Sequence, residues 1–166
     1  MVTLYNVISA DGYIARKDGG EDFIPDALWP STLELFKKYD ALVMGKKTYE
    51  AMQKYDQALL DPFEALPRKK VVVTRDADFV PRPGYIVVHS PKEALSLEPN
   101  TLVSSGPGLN SSLIRDGLVD TVIWQVVPVE IGEGIKPFNS DAKTFLGVPS
   151  SEEAGPLNTK LLIYRL

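Results

Sequence analysis

The chain has 166 residues, 22 acidic against 18 basic side chains, a formal net charge of −4 and 44% hydrophobic residues, which suits one ordinary domain, residues 1–166. It has no cysteine and a single histidine, His89, so disulfides, thiol nucleophiles and thiolate or histidine metal clusters are excluded. The acidic balance argues against a general nucleic-acid binder, no run is apolar enough to span a bilayer, and "MVTLYNVIS" lacks a basic leader, so a cytoplasmic location is expected.

In chain order, "VTLYNVIS" (2–9) reads as a strand, rich in β-branched and aromatic residues. A glycine-containing loop covers residues 11–26. "WPSTLELFKKY" (29–39) predicts a helix, with Pro30 at its start and Leu33 and Phe36 along a face. "DALVMG" (40–45) is a second strand and "KKTYEAMQKY" (46–55) a helix. "KKVVVTR" (69–75) and "YIVVH" (85–89) are the third and fourth strands, "PKEALSL" (91–97) a short helix and "NTLVSS" (100–105) the fifth strand. "GPGLNSSLIRDGLVD" (106–120) is a helix with Leu109, Leu113 and Ile114 on one side and Gly117 at its end. "TVIWQVVPV" (121–129) is a long strand. "KTFLGV" (143–148) and "TKLLIYRL" (159–166) read as two strands of a closing hairpin. Alternating strands and helices imply an α/β fold, a mostly parallel sheet with helices on both faces. In such sheets ligands bind beyond the carboxyl ends of the strands. The glycine junctions at Gly45 and Gly106 both fall at such ends.

"ALVMGKKTYEAM" (41–52) has the outline of a phosphate-binding P-loop. That motif needs a first glycine five residues earlier and a hydroxyl directly after the lysine. Here Asp40 and Lys47 stand at those positions, and the strand runs straight into Gly45. A nucleotide hydrolase is therefore excluded. What remains is a strand, a glycine and a helix N-terminus, whose free N–H groups favour an anion. Two solvated lysines at a tight turn are the plainer alternative.

The turn has companions: "SADGYIA" (9–15), "LPRKKVVVTR" (66–75), "VSSGPGLNSSLIRDGLVD" (103–120) and "VVPVEIGEGIKPF" (126–138). In this order they resemble the dihydrofolate reductase superfamily, over essentially the whole chain. The resemblance is strongest to the riboflavin-biosynthesis branch, the RibD C-terminal reductase domain. It implies a dihydrofolate-reductase-like three-layer sandwich closed by an antiparallel hairpin, and an NADPH-dependent reductase. Gly45, Ser105, Gly106 and Gly108 would approach the cofactor pyrophosphate, with Thr48 and Leu109 in the same turns. Pro107 offers no N–H. Lys46, Lys47, Thr74 and Arg75 would surround the adenosine 2′-phosphate. Charge-assisted contacts of about 1.5–3 kcal/mol each would favour NADPH over NADH by roughly a hundredfold or more. Val7, Ile14 and Ala15 match the nicotinamide wall, and Arg16 to Asp26 a mobile lid.

On the substrate side, Asn6 and Gln125 interrupt apolar strands. Each meets either a ligand or neighbouring backbone. Phe36 matches the aromatic that stacks on the ring in dihydrofolate reductases, and Arg68 the arginine that holds the folate carboxylate. Arg68 equally suits a substrate phosphate or a solvated strand start.

The chain also departs from the family pattern. The family carboxylate, one turn before the aromatic, is replaced by Thr32, and Glu34 points to nearly the opposite face. Asp22 and Asp26 on the loop are alternative acids, and Asp11 before Gly12 is a turn former. Lys46 stands for an arginine, and Ser105-Gly106 for a glycine pair often joined by a cis bond. Asn6, Thr32 and Gln125 are the catalytic candidates. The expected substrate is a small nitrogen heterocycle, a riboflavin-pathway ribosylamino-pyrimidine, as for a 5-amino-6-ribosylaminouracil reductase, or a pterin. The alternatives are a dihydrofolate reductase with an unconventional proton donor and a non-catalytic NADP- or pterin-binding protein. The apolar tail "KLLIYRL" suits pairing of two copies.

Overall fold

A computed structural model describes residues 1–166, apart from the side chains of residues 142 and 143. The strands are β1 (Val2–Ile8), β2 (Ala41–Gly45), β3 (Lys69–Val73), β4 (Tyr85–Val88), β5 (Thr101–Val103), β6 (Thr121–Val126), β7 (Ser151–Ala154) and β8 (Lys160–Arg165). They form one sheet in the order β4-β3-β2-β5-β1-β6-β8-β7. All pairings from β4 to β6 are parallel; β8 is antiparallel to both β6 and β7. The helices are α1 (Trp29–Phe36), α2 (Lys46–Met52), α3 (Gln57–Glu64), α4 (Pro91–Ser96), α5 (Pro107–Arg115) and α6 (Ala142–Leu146).

Strand alternation divides the core into two apolar layers. Leu4 and Ile8 of β1 face a layer built with Leu113 of α5, Ala94 of α4 and Leu146 of α6. Tyr5 faces the other layer, with Phe36 of α1, Met52 of α2 and Phe63 of α3. Central β2 and β5 are buried along almost their whole length, which explains their unbroken apolar runs.

One sequence expectation is corrected. "KTFLGV" is not a strand: residues 142–146 are helical, and the hairpin's first strand is the acidic "SEEA" of β7. A further helix, α3, forms over residues 57–64 around Pro62. Pro62 removes one helical donor, and the buried Leu60 and Phe63 hold the helix against α1. The "KLLIYRL" tail forms β8, whose two edges are paired to β6 and β7; Tyr164 is buried and Leu161, Leu162 and Ile163 are half-buried.

On the α5 side of the sheet, a buried polar point ties α5 to β1 and to the segments that follow β5 and β6. Asn110 of α5 is fully buried, and its Nδ2 lies 3.0 Å from each of three acceptors, Asn6 Oδ1, Ser105 O and Pro137 O. Replacing Asn110 by leucine takes that donor from Asn6 Oδ1 and Pro137 O, while Ser105 O keeps the Asn6 amide. The unfolding free energy should fall by about 1–3 kcal/mol, read by urea denaturation.

Candidate functional site

The parallel register aligns β2 with β5, so their ends deliver Gly45 and Ser105–Gly106 to one place. Gly45 is the N-cap of α2 and Gly106 the N-cap of α5. Ser105 closes the gap between them: its Oγ accepts the Gly45 N–H at 3.0 Å and lies 3.4 Å from Thr48 Oγ1. Its carbonyl accepts the Asn6 amide at 2.9 Å. The Ser105–Gly106 bond is trans, as is every peptide bond in the structure. A Cβ on Gly106 or Gly108 would meet nothing within 4 Å, so the mouth of α5 is open. Leu109 is half-buried against the α5-side layer.

β3 pairs with β2 on its other side, Val73 opposite Gly45. That brings Thr74 and Arg75 beside Lys46 and Lys47. Lys47 and Arg75 are exposed. Lys46 is engaged: its Nζ lies 2.7 Å from Asp76 Oδ2 and 3.9 Å from Glu50 Oε1. Thr74 Oγ1 accepts the Asp76 N–H at 3.1 Å, and its carbonyl lies 2.8 Å from His89 Nδ1.

Val7 is half-buried between the α1-side layer and a small cluster of Phe23, Leu28 and Val127. Ile14 and Ala15 are zipped to the segment after β6: the Ile14 N–H donates to Ile135 O, and the Ile135 N–H to Ala15 O, both at 2.8 Å. Gly134 permits this approach, because a Cβ there would lie 2.2 Å from the Ala15 carbonyl oxygen. Asp11 locks the same loops, accepting from Ser9 Oγ at 2.6 Å and from the Ile131 and Gly132 N–H groups. The Ser9 hydroxyl, with those N–H groups, holds its carboxyl below the usual range.

The substrate candidates do not form one cluster. In the parallel pairing of β1 with β6, Asn6 lies opposite Trp124, and Val7 opposite Gln125. Asn6 and Gln125 therefore project from opposite faces of the sheet. Asn6 is committed to Ser105 and Asn110. Arg68 stands before the first residue of β3, at the far end from Gly45, and donates to Lys37 O at 2.8 Å and to Pro67 O at 2.9 Å. It secures the end of α1. Phe36 is buried edge-on among Tyr5, Trp29 and Phe63. Thr32 is buried and back-bonds to Leu28 O at 3.2 Å.

A residue outside the sequence candidates joins Thr32 to Gln125. The Tyr5 phenol donates to Gln125 Oε1 at 2.5 Å and also hydrogen-bonds Thr32. Gln125 Nε2 donates to Thr159 Oγ1 at 3.0 Å, and Thr159 to Pro156 O at 2.7 Å. This chain floors a cavity of about 210 Å³ between α1, β6 and β8, walled by Leu35, Ile123 and Leu161 with Glu34 and Lys38 among its lining side chains. None of the phosphate-binding candidates lines it. Tyr5 carries no polar signal in a one-dimensional reading, because tyrosine is an ordinary strand residue.

On the lid, Asp22 pairs with Arg16, and Asp26 opens a short 3-10 turn. Glu21 is exposed on the loop; its carboxyl accepts from the Tyr55 hydroxyl, and desolvation at that contact raises its pKa. Tyr55 stacks edge-on against Trp29, 6.2 Å between centroids. No group of acidic and histidine side chains that could hold a metal ion is found among the described residues. Among the described residues no helix is long and apolar enough to cross a membrane.

No family model matches the chain. An uncharacterized protein of Bacillus subtilis, YwjB, is 23% identical over 145 residues, 82% of this chain and 81% of the relative. Among solved structures, a protein assigned to riboflavin biosynthesis from Shewanella sp. PV-4 superposes over 99% of this chain and 97% of its own, with a TM-score of 0.73 at 20% identity. Enterococcus faecalis dihydrofolate reductase, complexed with NADP(H) and RAB-propyl, superposes over 99% of this chain and 95% of its own, with a TM-score of 0.70 at 22% identity. Acinetobacter baumannii RibD matches with a TM-score of 0.74 at 18% identity; this chain spans 57% of it. The chain thus has the dihydrofolate-reductase-like fold.

Burial raises the Tyr5 pKa from its ordinary 10 to about 12. Between those values the folded chain keeps a proton that the unfolded chain releases, so stability should fall as pH rises through the window. In Tyr5→Phe, the slope of unfolding free energy against pH from 10 to 12 should be shallower by up to one proton. The same variant should lose about 1–3 kcal/mol at pH 7, because Gln125 Oε1 loses its buried donor. Chemical denaturation across a pH series measures both.

Proposed function

We propose that the protein is an NADPH-dependent reductase acting on a small nitrogen heterocycle, a riboflavin-type ribosylamino-pyrimidine or a related pterin. The observation that carries this reading is the convergence of Gly45 and Ser105–Gly106 at two neighbouring strand ends, each capping a helix N-terminus. Two such ends side by side suit a diphosphate, and the open faces of Gly106 and Gly108 leave room for close approach. Ser105 Oγ already accepts the Gly45 N–H, so the hydroxyl would turn away or serve as a donor itself. The residues present fit the group.

In this reading Ser105, Gly106, Gly108 and Thr48 hold the pyrophosphate, and Lys47 and Arg75 the adenosine phosphate with Lys46. Val7, Ile14 and Ala15 wall the nicotinamide and exclude water. When bound, the cofactor supplies the hydride. Gln125, next to Val7 across the β1–β6 pairing, orients the heterocycle through an amide fixed by Tyr5 and Thr159. The proton comes from water or from Glu21. A carboxyl with a raised pKa holds its proton closer to neutrality, as a general acid requires.

A second reading, a protein that binds nucleotide or pterin without turnover, is favoured by Thr32. That position carries a hydroxyl bonded to its own helix, and the phenol of Tyr5 lies beside it.

Titration with NADPH, followed by the fluorescence of Trp29 and Trp124, should show saturable binding below millimolar concentration. Silence with both NADPH and NADH would reject the cofactor. Arg75→Ala should weaken NADPH about tenfold or more and leave NADH nearly unchanged; equal losses would remove Arg75 from the 2′-phosphate. Loss of NADPH absorbance with the aminouracil precursor, but not with dihydrofolate, distinguishes the two reductase types.

A further inference from the structure

We infer that Asp76 is a specificity residue of the nucleotide site, one that lowers its selectivity for a 2′-phosphorylated dinucleotide. The inference rests on the nicotinamide-nucleotide reading above. β2 and β3 run in parallel register to Gly45 and Val73, so the first residue of α2 and the turn after β3 leave the sheet side by side. Lys46 and Asp76 meet there at 2.7 Å. The ammonium also lies 5.2 Å from the centroid of the Phe79 ring, and Glu50, one turn along α2, is 3.9 Å away. Lys46 is therefore held from three directions.

Asp76 is equally fixed. Its Oδ1 accepts the Asp78 N–H at 3.0 Å, and its own N–H donates to Thr74 Oγ1. The carboxylate is thus built into a turn and cannot swing aside without breaking it. Lys46 beside it, with the Asp78 N–H, keeps Asp76 charged well below neutral pH, and Asp76 in turn raises the Lys46 pKa. His89, which contacts the Thr74 carbonyl, is the remaining titratable neighbour.

A fixed carboxylate and a phosphate dianion repel one another at this range. A phosphate that reaches Lys46 must share the ammonium with Asp76 or displace it. A ribose hydroxyl meets no such conflict, because it can donate directly to a carboxylate. Of the expected phosphate-binding cations, Lys46 is neutralised, and only the exposed Lys47 and Arg75 remain to favour NADPH. The unmodified site should accept both nucleotides, with dissociation constants within about tenfold of each other.

The test is titration of the purified full chain, its Asp76→Asn variant and its Lys46→Gln variant with NADPH and NADH separately, by calorimetry. Asp76→Asn keeps the side-chain carbonyl that accepts the Asp78 N–H and removes the charge. It should tighten NADPH and raise the NADH-to-NADPH ratio of dissociation constants about tenfold, with a steeper loss of NADPH affinity as salt is added. Lys46→Gln leaves the carboxylate without its cation and should move the ratio the other way. An Asp76→Asn ratio unchanged from the parent overturns the role of Asp76 and leaves the cofactor reading standing. Failure of the parent chain to bind either nucleotide overturns both.

Discussion

Ser105 is the residue on which the site's geometry depends. Its side chain takes the Gly45 N–H and its carbonyl takes the amides of Asn6 and Asn110. Four elements, β1, β2, β5 and α5, are fixed to one another through those bonds. The peptide is 5% exposed, so each missing partner would leave a desolvated polar group. A glycine in its place would keep the carbonyl bonds but free the Gly45 N–H. The serine therefore exchanges some openness at the phosphate position for rigidity at the strand ends.

The local half of the site was legible from the chain. A strand that ends in glycine and starts a helix is a contiguous signal, and both junctions, at Gly45 and Gly106, lie where the sequence places them. So were the strands that became β1 to β6 and β8, whose composition is strongly β-forming. The non-local half was not legible. Whether Asn6 and Gln125 share a face depends on the β1–β6 register, which no stretch of sequence encodes by itself, and the register puts them on opposite faces. Tyr5, Glu21 and Asp76 matter because of partners 120, 34 and 30 residues away respectively. The helical residues 142–146 were misread because five residues are too few to separate a helical from a strand period. α3 was hidden by Pro62, which argues locally against a helix that tertiary packing maintains.

The lid has a different character from the sheet. Its base is rigid, zipped by Ala15 to Ile135 and bolted by Asp11 to Ile131 and Gly132. Its middle is held by the buried Phe23 and the Glu21–Tyr55 contact. Protonation of Glu21 changes that contact from an ionic to a neutral hydrogen bond, which is weaker.

The placement of β8 between β6 and β7 has a consequence for how the protein is made. Every parallel strand has its neighbours already synthesised by the time β6 emerges, but the outer edge of β6, which carries Trp124 and Gln125, stays unpaired until Lys160–Arg165 arrive. During translation that edge is a template for any other extended chain. In the finished sheet β7 takes over as the outer edge, and its exposed Glu152 and Glu153 put charge along the one strand there that another chain could extend.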